Sequence, residues 1–178
     1  MNRKKISLLI AMSACFISQP FLSFASSLQD GEKAVAAELK AAIPEEKIKT
    51  VDDLYAKWKE MEEGKSNAVI IDIRTASEFE SGHIQDSNNV DSGHAYTMPK
   101  KIDDPNAEIW VFCRTQHRAT YFTGMLYKYG YKNVYLAAGG IKAWAEKGYP
   151  LVTKYLGNIN VNGYKKKMDE KFQFRENG

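Results

Sequence analysis

Cysteine is scarce in this chain: Cys15 and Cys113 are the two present in 178 residues. A small disulfide-stapled scaffold is thereby excluded, and a hydrophobic core must hold the fold. Histidine is nearly as rare, with three in all. The spacings of His83, His94 and His117, even with Cys113 added, match no zinc signature, so no resident metal is expected. Gly139-Gly140 lacks the Lys and Ser/Thr of a phosphate-binding P-loop and reads as a tight turn permitting close packing. The one long apolar run, from Ile6 to about Phe24, is interrupted by Ser18, Gln19 and Pro20, which argues against a permanent membrane span.

That run follows Arg3-Lys4-Lys5 and ends at Ser23-Phe24-Ala25, so residues 1–25 read as a secretory signal peptide cleaved after Ala25. A second reading makes Met12-Ser13-Ala14-Cys15 a lipoprotein processing site with Cys15 as lipid anchor. Met12 in place of the usual Leu and the apolar Phe16-Ile17 after the cysteine rank it lower. Removing residues 1–25 takes three of the 25 basic residues and none of the 22 acids, so the formal charge falls from +3 to zero. The basic balance of the whole chain is therefore no nucleic-acid signal. Cys113 is left as the sole thiol, a liability in an oxidising compartment unless it is used.

Downstream, the length suits one domain with terminal extensions. Residues 26–46 form a helical extension: Val35, Leu39, Ala42 and Ile43 make one stripe of a short amphipathic helix from Asp30 to Ile43, ended by Pro44 and packed on the domain's flank, with a dimer contact as the second reading. Lys47 to Thr50 reads as an edge strand, and Thr50-x-x-Asp53 as a capping box for a helix burying Val51, Leu54, Trp58 and Met61, closed by Gly64. The apolar run Ala68 to Ile73 is a central strand delivering Asp72 and Arg74 to its C-terminal end, before a helix that starts at Thr75 or Ser77 and stops at Gly82. There Arg74 and Glu78 are near enough along the chain to pair, while Asp72 can accept from loop amides or from the helix start. After Asn133 to Leu136, another strand, Gly139-Gly140 opens a helix carrying Ile141 and Trp144. Strands alternating with helices give an α/β fold with a mainly parallel central sheet, flanked by helices on both faces. Residues 153–178 form a basic tail.

The chemistry converges on Val111-Phe112-Cys113-Arg114-Thr115-Gln116-His117-Arg118-Ala119. Ile109 to Phe112 is a buried-strand pattern, and from Arg118 the residues Ala119, Phe122, Met125, Leu126 and Tyr129 recur at helical spacing up to Gly130. Cys113 thus sits at a strand's C-terminal edge, facing a helix N-terminus whose free N–H groups and dipole favour an anion. Arg114 and Arg118 add full charges, so the thiol is expected to fall from about 8.5 toward neutrality and stand as a nucleophile. A buried structural cysteine is the alternative, yet it does not call for two flanking arginines.

These stretches, VFCRTQHRATYFTGMLYKYGYKNVYLAAGGIKAWAEKGYPL and upstream VIIDIRTASEFESGHI, resemble the two signatures of the rhodanese (sulfurtransferase) family. The likeness runs from about Thr50 to Leu151 and sets a rhodanese-like domain at residues 47–152. It implies a persulfide on Cys113, a substrate loop of Arg114, Thr115, Gln116, His117 and Arg118, and scaffold roles for Asp72, Arg74, Glu78 and His83. No cofactor is called for. Four residues separate Cys113 from Arg118, against five in the phosphatases that resemble this fold, which sizes the loop for a single sulfur atom.

Gln116 stands where the common family loop has Gly, and Ala119 where Ser often follows the Arg. With the export signal and the helix around Gly31-Glu32-Lys33, the loop Cys-Arg-Thr-x-x-Arg-Ala resembles the periplasmic polysulfide-sulfur transferases, which are homodimers. The implied partners are small sulfur anions and a thiol, cyanide or protein acceptor, in the bacterial periplasm. A non-turnover sulfur carrier is the first alternative, and a Cys-dependent phosphatase or arsenate reductase the second.

Overall fold

Three helices begin with the same local device, a hydroxyl residue whose side chain accepts from the amide three positions on while the acid there accepts from the hydroxyl residue's own amide. Ser27 with Asp30 starts α1 (Leu28–Ala41), Thr50 with Asp53 starts α2 (Val51–Glu62), and Thr75 with Glu78 starts α3 (Ala76–Ser81). Each box satisfies amides that the first helical turn leaves unpaired. The computed structural model describes residues 27–154 and 156–159. The signal-peptide reading of residues 1–25, Cys15 with it, and the tail from residue 160 onward lie outside the described residues.

Between α1 and α2 runs a two-residue strand, β1 (Ile48–Lys49), and between α2 and α3 the strand β2 (Val69–Asp72). The chain continues through β3 (Asn88–Asn89), a 3-10 segment Ser92–Thr97, α4 (Met98–Lys101), β4 (Ile109–Phe112), α5 (His117–Lys128), β5 (Val134–Ala137) and α6 (Gly140–Glu146). The five strands pair in the order β1-β5-β4-β2-β3, every pair parallel. A parallel sheet needs both faces covered, and alternation along its strands provides for that. Ile71 and Val111 point into one core with Ile109, Phe122 and Leu126, while Ile70, Trp110 and Phe112 point into another with Leu54, Trp144 and Leu151. Helices α4 and α5 cover the first face, α2 and α6 the second. This is the expected α/β architecture, with β3, the 3-10 segment and α4 added where the sequence carried no clear period.

Helix α1 packs along α5. Leu39 and the following Ile43 are buried, but Val35 is 51% exposed, so the expected apolar stripe is only half used. The contact is set by Gly124 of α5, where a Cβ would stand 2.4 Å from the Leu39 carbonyl oxygen. Two polar ties flank it, Lys128 to Glu38 at 2.7 Å and the Tyr121 hydroxyl to Glu32. Past α6 the chain forms an antiparallel hairpin, β6 (Leu151–Thr153) with β7 (Gly157–Ile159), that runs across the start of the expected tail. Val152 and His83 exchange backbone hydrogen bonds, laying the hairpin against the end of α3.

Candidate functional site

Strand β4 lies at the centre of the sheet and ends at Phe112, so Cys113 emerges at the sheet's C-terminal edge, where ligand sites of open α/β sheets form. The residue is 1% exposed and shares a core with Ile71, Ile73, Val111 and Phe122. Arg114, Thr115 and Gln116 then loop outward to the first turn of α5. Gln116 precedes that helix with φ −165° and ψ −33°, and no side chain caps the helix start. Its first-turn amides, with the dipole behind them, are thus left without a side-chain acceptor beside the loop. At φ −165° the backbone is extended, and Gln116 takes the family's glycine position without a left-handed conformation.

The loop is braced from behind by α6. The Ile141 amide donates to the Cys113 carbonyl at 2.9 Å and the Lys142 amide to that of Arg114 at 3.0 Å. Gly140 makes the approach possible: its φ is +57°, and a Cβ there would lie 2.3 Å from the Cys113 carbonyl oxygen and 2.8 Å from that of Thr115. The tight turn expected at Gly139-Gly140 therefore has a specific purpose, to seat α6 against the backbone of the cysteine loop.

The charged residues group differently from the expectation. Arg74 does not pair with the Glu78 carboxylate. Its guanidinium clamps Asp72 with Nη2 at 2.6 Å and Nε at 2.9 Å, and it also donates to the carbonyls of Glu78 and Gly82. Asp72 accepts the Arg74 amide as well, so a fully buried carboxylate and a nearly buried guanidinium satisfy each other. Arg74 does reach α3, but it meets the Glu78 backbone carbonyl and not the carboxylate. Glu78 is thereby left for Arg118, which it grips in bidentate fashion at 2.8 and 2.9 Å.

That pair holds the Glu78 carboxyl down to about 2, chiefly through the Arg118 hydrogen bonds and also through the Thr75 amide and hydroxyl. Arg118 is raised in turn, first by Glu78 and to a lesser degree by the charges of Cys113 and Asp72. Arg118 has much of its charge compensated by Glu78. Its part at the loop is as much orientation as positive potential.

Of the other residues singled out from sequence, His83 stacks on Phe79 at 3.8 Å between ring centroids and its Nδ1 lies 2.9 Å from the Phe79 carbonyl, a supporting position at the end of α3. His94 sits in the 3-10 segment beside Tyr96. His117 is exposed at the start of α5 with Tyr121 one turn on, ring centroids 5.3 Å apart. Among the described residues no group of three His, Cys, Asp or Glu is arranged to hold a metal. Two open clefts flank His117 and Tyr121, both reaching helix α1, whose contribution the sequence did not reveal.

Against known proteins, residues 53–147 match the model of the rhodanese-like domain. A sulfurtransferase from Allochromatium vinosum is 28% identical over 88 residues, 48% of this chain and 79% of that protein. A tRNA uridine(34) hydroxylase from Prochlorococcus marinus is 31% identical over 90 residues, but these span 46% of this chain and only 29% of the hydroxylase. Among solved structures, the polysulfide-sulfur transferase homodimer from Wolinella succinogenes superposes with a TM-score of 0.54 at 24% identity, over 73% of this chain and 93% of that one. The family match takes in β2, the Asp72–Arg74 clamp, the cysteine loop and the bracing helix α6, and the chain belongs to the rhodanese-like domain family.

Proposed function

We propose that the protein is a sulfurtransferase that carries sulfane sulfur as a persulfide on Cys113. The observation that supports this most is the one thiol among the described residues, at the end of the central strand and facing the uncapped N-terminus of α5, in a chain of the rhodanese-like domain family. In the first step the Cys113 thiolate attacks the outer sulfur of the donor. The S–S bond of the donor breaks, and its electron pair leaves with the shortened anion. An acceptor thiolate or cyanide then attacks the outer sulfur of the persulfide and returns Cys113 as thiolate. The loop amides and Arg118, aimed by Glu78, hold the anionic groups in both steps.

Polysulfide is the donor this site favours over thiosulfate. The thiol of a residue only 1% exposed is met end-on by a thin chain more readily than by a group bearing sulfonate oxygens. Ala119 is buried and supplies no hydroxyl for such oxygens. The test is kcat/KM for each donor with one common thiol acceptor, which reports transition-state discrimination. A higher value for polysulfide, abolished in Cys113→Ser, is expected; equal or better use of thiosulfate would reassign the donor.

Export to the periplasm is part of this reading and is supported by the signal-peptide pattern of residues 1–25. Homodimer formation is too, supported by the exposed Leu28 and Val35 of α1; light scattering of the mature chain tests it.

A further inference from the structure

Helix α1 lies outside the residues that match the family, yet it lines a cleft that opens directly beside the cysteine loop. The open cleft measures about 460 Å³, within the roughly 300–1,000 Å³ of small-molecule sites. His117 and Arg118, the first two residues of α5, line it. Ala95, Phe122 and Met125 give it apolar walls, and Glu32 of α1 adds a carboxylate. A guanidinium, apolar sides and a carboxylate lining one cleft form a dipolar site. Arg118 spends two of its five N–H groups on Glu78, so its guanidinium keeps donors for a second anion. Glu32 is steadied by the Tyr121 hydroxyl, which donates to its Oε1 and leaves the other carboxylate oxygen for a further donor.

We infer that this cleft seats the sulfur acceptor, and that the acceptor is a small thiol carrying both a carboxylate and an ammonium group, with Glu32 as the residue that selects the ammonium. The inference rests on the proposed persulfide chemistry at Cys113 and adds which thiol is served. The acceptor carboxylate meets Arg118, which closes the loop that Cys113 opens, and its ammonium meets Glu32. Its thiolate attacks the outer sulfur of the Cys113 persulfide. A new S–S bond forms on the acceptor, the old one breaks with its electron pair returning to Cys113 Sγ, and the acceptor's thiol proton has gone to solvent. Opposite charges in the lining orient the acceptor, since reversing it sets each charge against its like.

The test uses the mature chain with polysulfide as donor and two acceptors of nearly equal size, cysteine and 3-mercaptopropionate, the second lacking the ammonium. Uptake of one sulfur atom by Cys113 is first verified by intact mass for each variant. The ratio of kcat/KM for cysteine to that for 3-mercaptopropionate is then compared between the wild type and Glu32→Gln. A fall of about fivefold in that ratio is expected, the size of a half-exposed charge-assisted hydrogen bond. Tyr121→Phe, which frees Glu32 from its steadying bond, should lower the ratio in the same direction by less. An unchanged ratio in Glu32→Gln with normal sulfur uptake overturns the acceptor site and leaves the sulfurtransferase reading standing. Absence of sulfur uptake by the wild type overturns that reading, and the acceptor site with it.

Discussion

Replacing Gly140 by Ala should unseat the cysteine loop without touching any side chain in it. Two costs combine. The residue sits at φ +57°, where an L side chain costs about 1–2 kcal/mol. The added methyl would also stand 2.3 Å from the Cys113 carbonyl oxygen and 2.8 Å from the Arg114 carbonyl carbon. Both are backbone atoms that no rotamer change can clear, so α6 and the loop must separate, at about 1–3 kcal/mol for overpacking. Separation also stretches the Ile141-to-Cys113 and Lys142-to-Arg114 hydrogen bonds. A total near 3 kcal/mol lowers Tm by about 6–12 °C in a domain of this size. The assay pairs thermal unfolding with the rate of sulfur uptake by Cys113 well below the new Tm. Uptake should fall at least tenfold, because a small displacement of a reacting atom is costly. Gly130→Ala is the control: its φ is +102° but nothing lies within 4 Å, so only strain, about 1 kcal/mol, is expected with uptake intact. A Gly140→Ala protein with wild-type Tm and uptake would refute the bracing role of α6.

Three further outcomes follow from the geometry. Glu78→Gln should destabilise by about 1–2 kcal/mol at neutral pH, a figure reduced for the partial exposure of the pair. Because the folded carboxyl is held at about 2 against an ordinary 4.5, its contribution is fully present above 4.5 and is lost as pH falls toward 2. The gap in stability between wild type and Glu78→Gln, from denaturant titrations across that range, should therefore close with acid, and a pH-independent gap would break the assignment. Gly124→Ala sets a methyl 2.4 Å from the Leu39 carbonyl oxygen and should loosen α1 at a cost of about 1–3 kcal/mol, read as faster amide exchange in α1 than in the sheet. Arg118→Ala should slow sulfur uptake and leave Glu78 without its principal partner; uptake at the wild-type rate would remove Arg118 from the site.

Much of this molecule is legible locally. Thr50-x-x-Asp53 announces α2, apolar runs announce β2 and β4, and the four-residue spacing from Cys113 to Arg118 announces the loop, because each depends on neighbours in the chain. The same signature at Ser27 and Thr75 fixes the starts of α1 and α3, though the apolar stripe alone placed the first too late. What sequence did not show are contacts between distant segments. Glu78 is shared between capping α3 and gripping Arg118 forty positions on, and only the fold brings those two together. Strand β3 has two residues and draws its pairing from β2, not from a period of its own. Val35 stays exposed although it shares the α1 stripe with Leu39, and the close approach of α1 to α5 is signalled in the sequence by a glycine in mid-helix, Gly124.

The central claim, sulfur carried on Cys113, is met most directly by intact-mass and peptide-level mass spectrometry of the purified mature chain after brief exposure to polysulfide. Addition of one sulfur atom, mapped to the peptide containing Cys113, removed by cyanide and absent in Cys113→Ser, is the predicted result. An unmodified Cys113 in a folded protein, or the same mass gain in Cys113→Ser, would contradict it.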